Sequence, residues 1–450
     1  MRVFLAVLLC KLSRAVLRLF KRGGTNLPGK IAVAICPDLL KTLSRGVRTV
    51  VISGTNGKTT TARMVEQAYI DAGMEYFANR SGANLLTGIT AEFAVHATLT
   101  GKAKIAHAII ECDEGASAKV CEYVDPAVFL VTNVFSDQLD RFGEVRHILG
   151  MLKAGAKNSP NAVVCLNADD SLSVSIADEL TREPCYYGLE TPLYENPADE
   201  LSDAPDCIKC GTAYEYSYAT YAHLGGFNCP NCGYSRPEAS VAVTEAKLGD
   251  DGSKAKMRID GEELSVDINL PGGYNVYNAA AAAAALSVSG FSADAIAVAL
   301  GTFKCGFGRM EKFELEGREV RMILVKNTAG FNQVLNFLSG LEGGGLFVIC
   351  LNDRIADGTD VSWIRDVNFE SLADSGRRIL VSGLRAEFMA ERLLDAGLPQ
   401  ETVELVRDYA ELLEKMLNQD DPVFIMPSYT AMLELREIIS RKYGYTDFWE

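Results

Sequence analysis

Residues Arg48 to Met64 read RTVVISGTNGKTTTARM, a short β-branched strand that runs into a glycine-bracketed lysine, three consecutive threonines and a helix. Glycines at 54 and 57 let backbone N–H groups converge on phosphate oxygens, Lys58 adds a point charge, and the following helix offers its positive N-terminus. Gly54, Thr55, Asn56, Gly57, Lys58, Thr59 and Thr60 therefore read as a nucleotide-phosphate cradle, with the Thr59 hydroxyl set to hold a magnesium ion. The spacing G-x-x-G-K-T is shorter than the general phosphate-loop pattern, and the bland alternative is an ordinary glycine-rich strand-to-helix turn.

Outward from this loop, Ala106 to Ile110, Val128 to Asn133 and Ala162 to Asn167 read as short buried strands, each separated from the next by a helical stretch. That alternation predicts a parallel α/β sheet, whose ligands sit at the carboxyl ends of its strands. Before the loop, residues 1–47 read as helical: an amphipathic helix over the first twenty residues, then stretches broken by Pro28 and Pro37. Lys11, Arg14 and Arg18 interrupt the first helix too early for a membrane span, which leaves packing on the protein or lying on a membrane surface. No clear cleavage site follows, so the segment reads as retained.

Residues 188 to 240 are rich in tyrosine, proline, acid and cysteine, and read as an insertion. A β-hairpin is expected over 240–269, an alanine-rich helix from Asn275 to Val288, and a new strand and helix series from about Gly317. The expected domains are an N-terminal helical segment (1–47), a central ATP-binding domain (48–315) carrying a ribbon at about 200–237, and a smaller C-terminal Rossmann-like α/β domain (316–450). A length of 450 residues agrees with roughly three domains at about 150 residues each.

With 48% apolar and 23% charged residues, the chain has the composition of a globular protein with a proper core. Its net charge of −15 argues against nucleic acid as the main partner. Twelve cysteines without a secretory signal point to reduced thiols in the cytoplasm. Four of them form Cys207-x-x-Cys210 and Cys229-x-x-Cys232, with 18 residues between the pairs. Four thiolates at that spacing suit a tetrahedral zinc ion, and with no coordination position left open the metal is structural.

Glu111-Cys-Asp113-Glu114 closes the strand AHAII, so carboxylates emerge beside the phosphate loop, where Glu111 can bind magnesium; a solvated acidic turn is the plain alternative. Thr132-Asn133 and Asp137-Gln138-Leu139-Asp140-Arg141 again end a strand with polar groups. Asn275 and Asn278 precede the alanine-rich helix and Arg309 lies in GRME; read singly, the asparagines are caps and the arginine a surface ion pair.

Taken in order, GTNGKTTT, the ECDE strand end, TNVFSDQLDRFGE, LNADD at 166–170, LPGGYNVYNAAAA and GRMEKFE resemble the Mur ligase superfamily, whose members join amide bonds through an acyl phosphate made with ATP. The resemblance implies that Lys58 and the loop amides hold the ATP phosphates, that Thr59 and Glu111 ligate Mg2+, that Asn275 and Asn278 lie by the adenine, and that Arg309 reaches the phosphates. Two features depart from it: Asp137-Gln138 stands where most members have Asp-His, and VKNTAGFNQVL replaces the usual aspartate-led motif. Lys153 holds the place of a lysine carbamylated in many relatives.

Those departures, the four-cysteine insertion and LNDRIADGTDVSWIRDVNFE are similar to the amidating branch of the superfamily. That likeness implies amidation of D-glutamate to D-isoglutamine in the stem peptide of lipid II, at the inner face of the membrane, beside a GatD-type glutaminase. It further implies that an aspartate of the C-terminal domain completes the partner's Cys-His pair, with Asp357 the first choice and Asp360 the second. Read alone, both are caps of a turn around Gly358. The residues themselves support the division of labour: with four histidines and no cysteine in a glycine-flanked elbow, the chain has no evident means of releasing ammonia from glutamine. The rivals are a self-sufficient Mur or folylpolyglutamate-type amino acid ligase, and a nucleotide-gated regulatory protein that uses the ribbon to recruit a partner.

Overall fold

The computed structural model describes residues 1–19, 26–79, 83–136, 145–194, 203–304, 309–341, 345–373 and 375–445. The chain opens with three helices, α1 (Arg2–Leu19), α2 (Asn26–Ile35) and α3 (Leu39–Leu43). Pro28 was expected to break this region, but it lies in the first turn of α2, where its missing N–H costs no intrahelical bond. Pro37 does separate α2 from α3.

The phosphate-loop strand β1 (Arg48–Ser53) begins a nine-stranded sheet with β2 (Phe77–Ala78), β3 (His107–Glu111), β4 (Val128–Val131), β5 (Val163–Asn167) and β6 (Cys185–Leu189). The chain then leaves the sheet for an antiparallel pair, β7 (Glu215–Tyr221) and β8 (Leu224–Asn228), and returns as β9 (Val241–Leu248), β10 (Ser253–Ile259) and β11 (Glu262–Ile268). The order is β11-β10-β9-β6-β5-β4-β1-β3-β2, with β1 parallel to β3 on one side and β4 on the other. The chain switches direction across the sheet at β1, and ligands of open α/β sheets bind at such a switch point.

The expected hairpin over 240–269 is a three-stranded antiparallel meander, β9-β10-β11. Asp260 (φ 51°) and Gly261 (φ 84°) join β10 to β11, the positive-φ pair that a two-residue turn of matching twist requires.

Alternation along β1 divides the core. Val50 and Ile52 face α4 (Lys58–Asp71) and the alanine-rich helix, whereas Val51 faces α1, α3, α5 (Leu86–Val95), α6 (Glu114–Val124) and α7 (Val145–Lys157). The alanine-rich helix α8 (Gly273–Ser287) is buried almost throughout, and side chains no larger than a methyl let it pack between the sheet and α4.

The second sheet has the order β12-β13-β17-β14-β15-β16, built from β12 (Arg309–Leu315), β13 (Arg318–Ile323), β14 (Leu346–Cys350), β15 (Ile379–Ser382), β16 (Val403–Leu405) and β17 (Val423–Pro427). β12 pairs with β13 in this sheet, and Glu316-Gly317 is the tight turn of the hairpin between them. Helices α9 (Thr328–Ser339) and α10 (Tyr429–Tyr443) follow β13 and β17.

Candidate functional site

The loop after β1 is clasped from both sides. Gly54 (φ 113°) and Gly57 (φ 85°) are left-handed, and an added Cβ would stand 2.4 Å from Thr132 Oγ1 at the first and 2.0 Å from Asn278 Oδ1 at the second. Only glycine fits either position. Asn133 completes the clasp: its carbonyl accepts from Thr55 N (2.9 Å), its Oδ1 from Asn56 N (2.9 Å), and its Nδ2 donates to Asn56 O (3.2 Å). The Thr55 and Asn56 amides, expected among the phosphate donors, thus bond to Asn133. Lys58, Thr59 and Thr60 form the first turn of α4, whose N–H groups have no carbonyl acceptor within the helix and are the kind of donors that bind anions.

Lys58 is 9% exposed; its ammonium donates to Glu114 Oε1 (2.8 Å), Gly54 O (2.5 Å) and Thr55 O (3.2 Å). The Thr59 hydroxyl donates to Glu111 Oε2 at 2.8 Å. Asn79 grips the Glu111 backbone from both sides, accepting from Glu111 N (2.9 Å) and donating to Glu111 O (2.7 Å). Asp113 caps α6 by accepting from Gly115 N at 3.0 Å. Two carboxylates and one ammonium share this corner, so a bare polyphosphate is repelled and a divalent cation is favoured. The Thr59 hydroxyl and Glu111 carboxylate are the hard oxygen donors that fit magnesium.

Beside the loop, a cleft opens between the two sheets. The central domain lines it with Asn56, Gly57, Tyr221, Asn275 and Asn278, and the C-terminal part with Met310, Ile323, Gly330, Gln333 and Val334. Asn278 Nδ2 donates to Asn275 Oδ1 (3.0 Å), and Asn275 Nδ2 to Pro271 O (2.7 Å). Asn327 caps α9 through Gly330 N (2.8 Å) and bridges the cleft to Asn56 Oδ1 (3.0 Å). Gln333 is 2% exposed and, among the described residues, has no hydrogen-bond partner for either amide atom. A buried amide costs free energy when unpaired, so this one is placed to meet a ligand.

The four cysteines converge, with their sulfurs all within 4.8 Å of one another. Cys207 and Cys232 sulfurs are 3.6 Å apart and those of Cys210 and Cys229 3.4 Å, against about 3.8 Å for the edge of a zinc-thiolate tetrahedron. Each knuckle closes the same way, Gly211 N on Cys207 O (2.8 Å) and Gly233 N on Cys229 O (3.0 Å). The donor set fits zinc and leaves no position for a substrate.

The hairpin beyond these knuckles reaches the cleft. Tyr221 lines it and stacks on Phe135, with ring centroids 5.9 Å apart, while His223 is fully buried and places Nε2 3.2 Å from Asp170 Oδ1. Neighbouring Asp169 accepts from Arg236 Nε (2.7 Å), Leu189 N (2.8 Å) and Tyr277 OH (2.7 Å); burial nevertheless pushes its carboxyl up. Sequence reasoning passed over Asn79, Glu114, Tyr221, His223, Asn327 and Gln333 as site residues. Glu114 lay inside the acidic strand end, and Asn327 and Gln333 inside the departing VKNTAGFNQVL segment; the other three carried no local signal.

Asp357 and Asp360 do not line this cleft. Asp357 accepts from Thr430 N (2.7 Å) and Thr430 Oγ1 (2.5 Å) at the start of α10, and Asp360 accepts from Ser362 N (2.8 Å). Lys153 Nζ lies 4.0 Å from Asp178 Oδ2, a carboxylate that also pairs with Lys209 of the ribbon. Residues 137–144, with Asp137, Gln138, Asp140 and Arg141, lie outside the described residues, as does the side chain of Arg309.

Two family models match: the Mur ligase middle domain over residues 52–233 and the MurT ligase C-terminal domain over 324–432. The chain is 33% identical to the Streptococcus pneumoniae lipid II isoglutaminyl synthase (glutamine-hydrolyzing) subunit MurT, over 98% of each chain. It is 34% identical to the Staphylococcus aureus protein of the same name, over 98% of this chain and 99% of the other. Among solved structures, a pseudomurein peptide ligase type C from Methanothermus fervidus superposes with a TM-score of 0.66 at 22% identity, covering 88% of this chain and 79% of that one.

Proposed function

Since this chain belongs to the MurT family of Mur ligases, and so is a ligase, we propose that it amidates the α-carboxylate of D-glutamate in the lipid II stem peptide to D-isoglutamine, with ATP and with ammonia from a GatD-type glutaminase. One observation carries the catalytic reading: Thr59 Oγ1 and Glu111 Oε2 meet at 2.8 Å beside Lys58, at the N-terminus of α4. That corner joins a phosphate-binding helix end to a magnesium-binding oxygen pair, which is what phosphoryl transfer to a carboxylate needs.

A carboxylate does not react with ammonia at neutral pH, because its oxygen is a poor leaving group. In the proposed reaction a carboxylate oxygen attacks the γ-phosphorus and ADP leaves; ammonia then adds to the acyl carbon and phosphate departs with the former carboxylate oxygen. Lys58, released from Glu114, would neutralise the transferring phosphoryl group, and the first-turn amides of α4 would hold the phosphates. Thr59 and Glu111 would hold magnesium, which would supply charge neutralisation for the two anions. Asn275 and Asn278 place the base in the cleft, with Tyr221 and Met310 on its walls. In this reading Asp357, or failing that Asp360, serves the partner's glutaminase site, and the four-cysteine zinc is structural.

The test is amidation of lipid II by the purified chain together with a GatD-type glutaminase, ATP, Mg2+ and glutamine, read as conversion of one carboxylate to an amide by mass spectrometry of the stem peptide. Addition of a whole amino acid by this chain alone would instead establish the self-sufficient ligase.

A further inference from the structure

Helix α1 is apolar on two opposite sides. At roughly 100° per residue, Ala6, Val7 and Cys10 fall together, and all three are fully buried against the central domain. Met1, Phe4, Leu5, Leu8, Leu12, Ala15 and Val16 fall on the other side, and no charged residue interrupts them. That side faces outward: Phe4 is 44% exposed, Leu5 45%, Leu12 52% and Val16 49%. A helix that has satisfied its packing through one face gains nothing from a second apolar face in water, so the outward one is built for a surface. Leu27, at the start of the neighbouring helix α2, is likewise 51% exposed.

The charge around this face identifies the surface. Residues 1–47 hold nine Lys and Arg against the single acid Asp38, a net of +8 in a chain whose total is −15. Arg2 stands at the margin of the apolar face, and Lys30 follows Leu27 on α2; both are exposed. A second copy of this chain would bring like charges together, whereas an anionic bilayer takes up both the apolar side chains and the cations around them. No helix among the described residues is long and apolar enough to cross a membrane, so α1 would lie in the plane of the surface.

We propose that the outward face of α1 docks this protein on an anionic phospholipid surface. Arg14, which pairs with Glu92 of α5 at 2.8 Å, fixes α1 to the central domain, so that docking brings the whole catalytic body to the bilayer. The inference does not depend on the reaction proposed above.

The test is co-sedimentation of the full chain with phosphatidylcholine vesicles, with and without phosphatidylglycerol, at low and high salt. The wild type is expected to partition onto the phosphatidylglycerol vesicles and to be released by salt, and Leu5→Asp with Leu12→Asp to lower the partition by about tenfold or more at an unchanged melting temperature. Arg2→Glu with Lys30→Glu, which leaves the apolar residues in place, should weaken the preference for phosphatidylglycerol, and it keeps the proposal testable should the aspartates unsettle the fold. Absence of binding, equal binding to both vesicles, or no response to either pair of substitutions overturns the proposal. Self-association abolished by the aspartate pair also overturns it, by giving the face to a second copy.

Discussion

His223 Nε2 lies 3.2 Å from Asp170 Oδ1, with both side chains fully buried, and the second oxygen of Asp170 accepts from Val134 N at 2.8 Å. Val134 follows Asn133, which clasps the phosphate loop. The four-cysteine ribbon is therefore tied through four residues to the segment that would hold ATP. Metal removal should reach the cleft by that route: Cys229→Ser is expected to lose zinc, lower the melting temperature and weaken nucleotide affinity, and His223→Ala to weaken nucleotide with zinc retained. A coupling of about 1 kcal/mol, roughly fivefold, is expected from such a packed connection. Metal analysis beside nucleotide titration checks it, and unchanged affinity in both variants would count against the coupling.

Lys58→Ala should abolish ATP turnover, and it should also destabilise the fold. It leaves Glu114, 3% exposed, without the ammonium now 2.8 Å away, and breaking a buried pair from one side costs about 3–5 kcal/mol. Lys58→Ala combined with Glu114→Gln should regain much of the melting temperature and none of the turnover. Phosphate release and thermal melting separate the two effects.

For Asp357, the structural role and the proposed one can be told apart. Its carboxylate caps α10 through Thr430, so Asp357→Asn is expected to cost about 1 kcal/mol of stability. If it also completes the partner's glutaminase site, the variant keeps ammonia-driven amidation and loses the glutamine-driven reaction. Equal loss with both nitrogen donors would leave only the cap.

Gln333 offers an unpaired donor and acceptor to the cleft, the pairing an adenine edge can meet in full. Replacing it by Ala should narrow the preference for ATP over inosine triphosphate by about tenfold, the worth of one buried hydrogen-bonded contact. Competition binding with the two nucleotides measures that ratio, and an unaltered ratio would exclude a role in base selection.

Acid should loosen α1 from α5. Burial raises the Glu92 carboxyl, but His96 and Arg14 together outweigh it and leave the group below its ordinary 4.5. A carboxyl lowered in the fold contributes stability that is present above 4.5 and lost as pH falls through the lowered value. Hydrogen exchange of residues 2–17 should therefore rise below pH 4.5 ahead of exchange in β1, and Glu92→Gln should produce the same loosening at neutral pH.

What the sequence by itself determined are the features that contiguous residues encode. The strand, glycines, lysine and threonines of 48–64 specify a tight strand-to-helix turn through local backbone geometry, and two Cys-x-x-Cys knuckles specify four converging sulfurs through short-range turns. The α/β alternation follows likewise from periods of two and 3.6 residues. The partners of these groups were settled only by tertiary structure. Lys58 meets Glu114 across 56 positions, His223 meets Asp170 across 53, and Asn327 meets Asn56 across 271. No local pattern marks such pairs, because each exists only where sheet order and the inserted hairpin bring distant strand ends together. The second, outward apolar side of α1 became visible in the same way, once the packing of its other side showed which residues were left facing solvent.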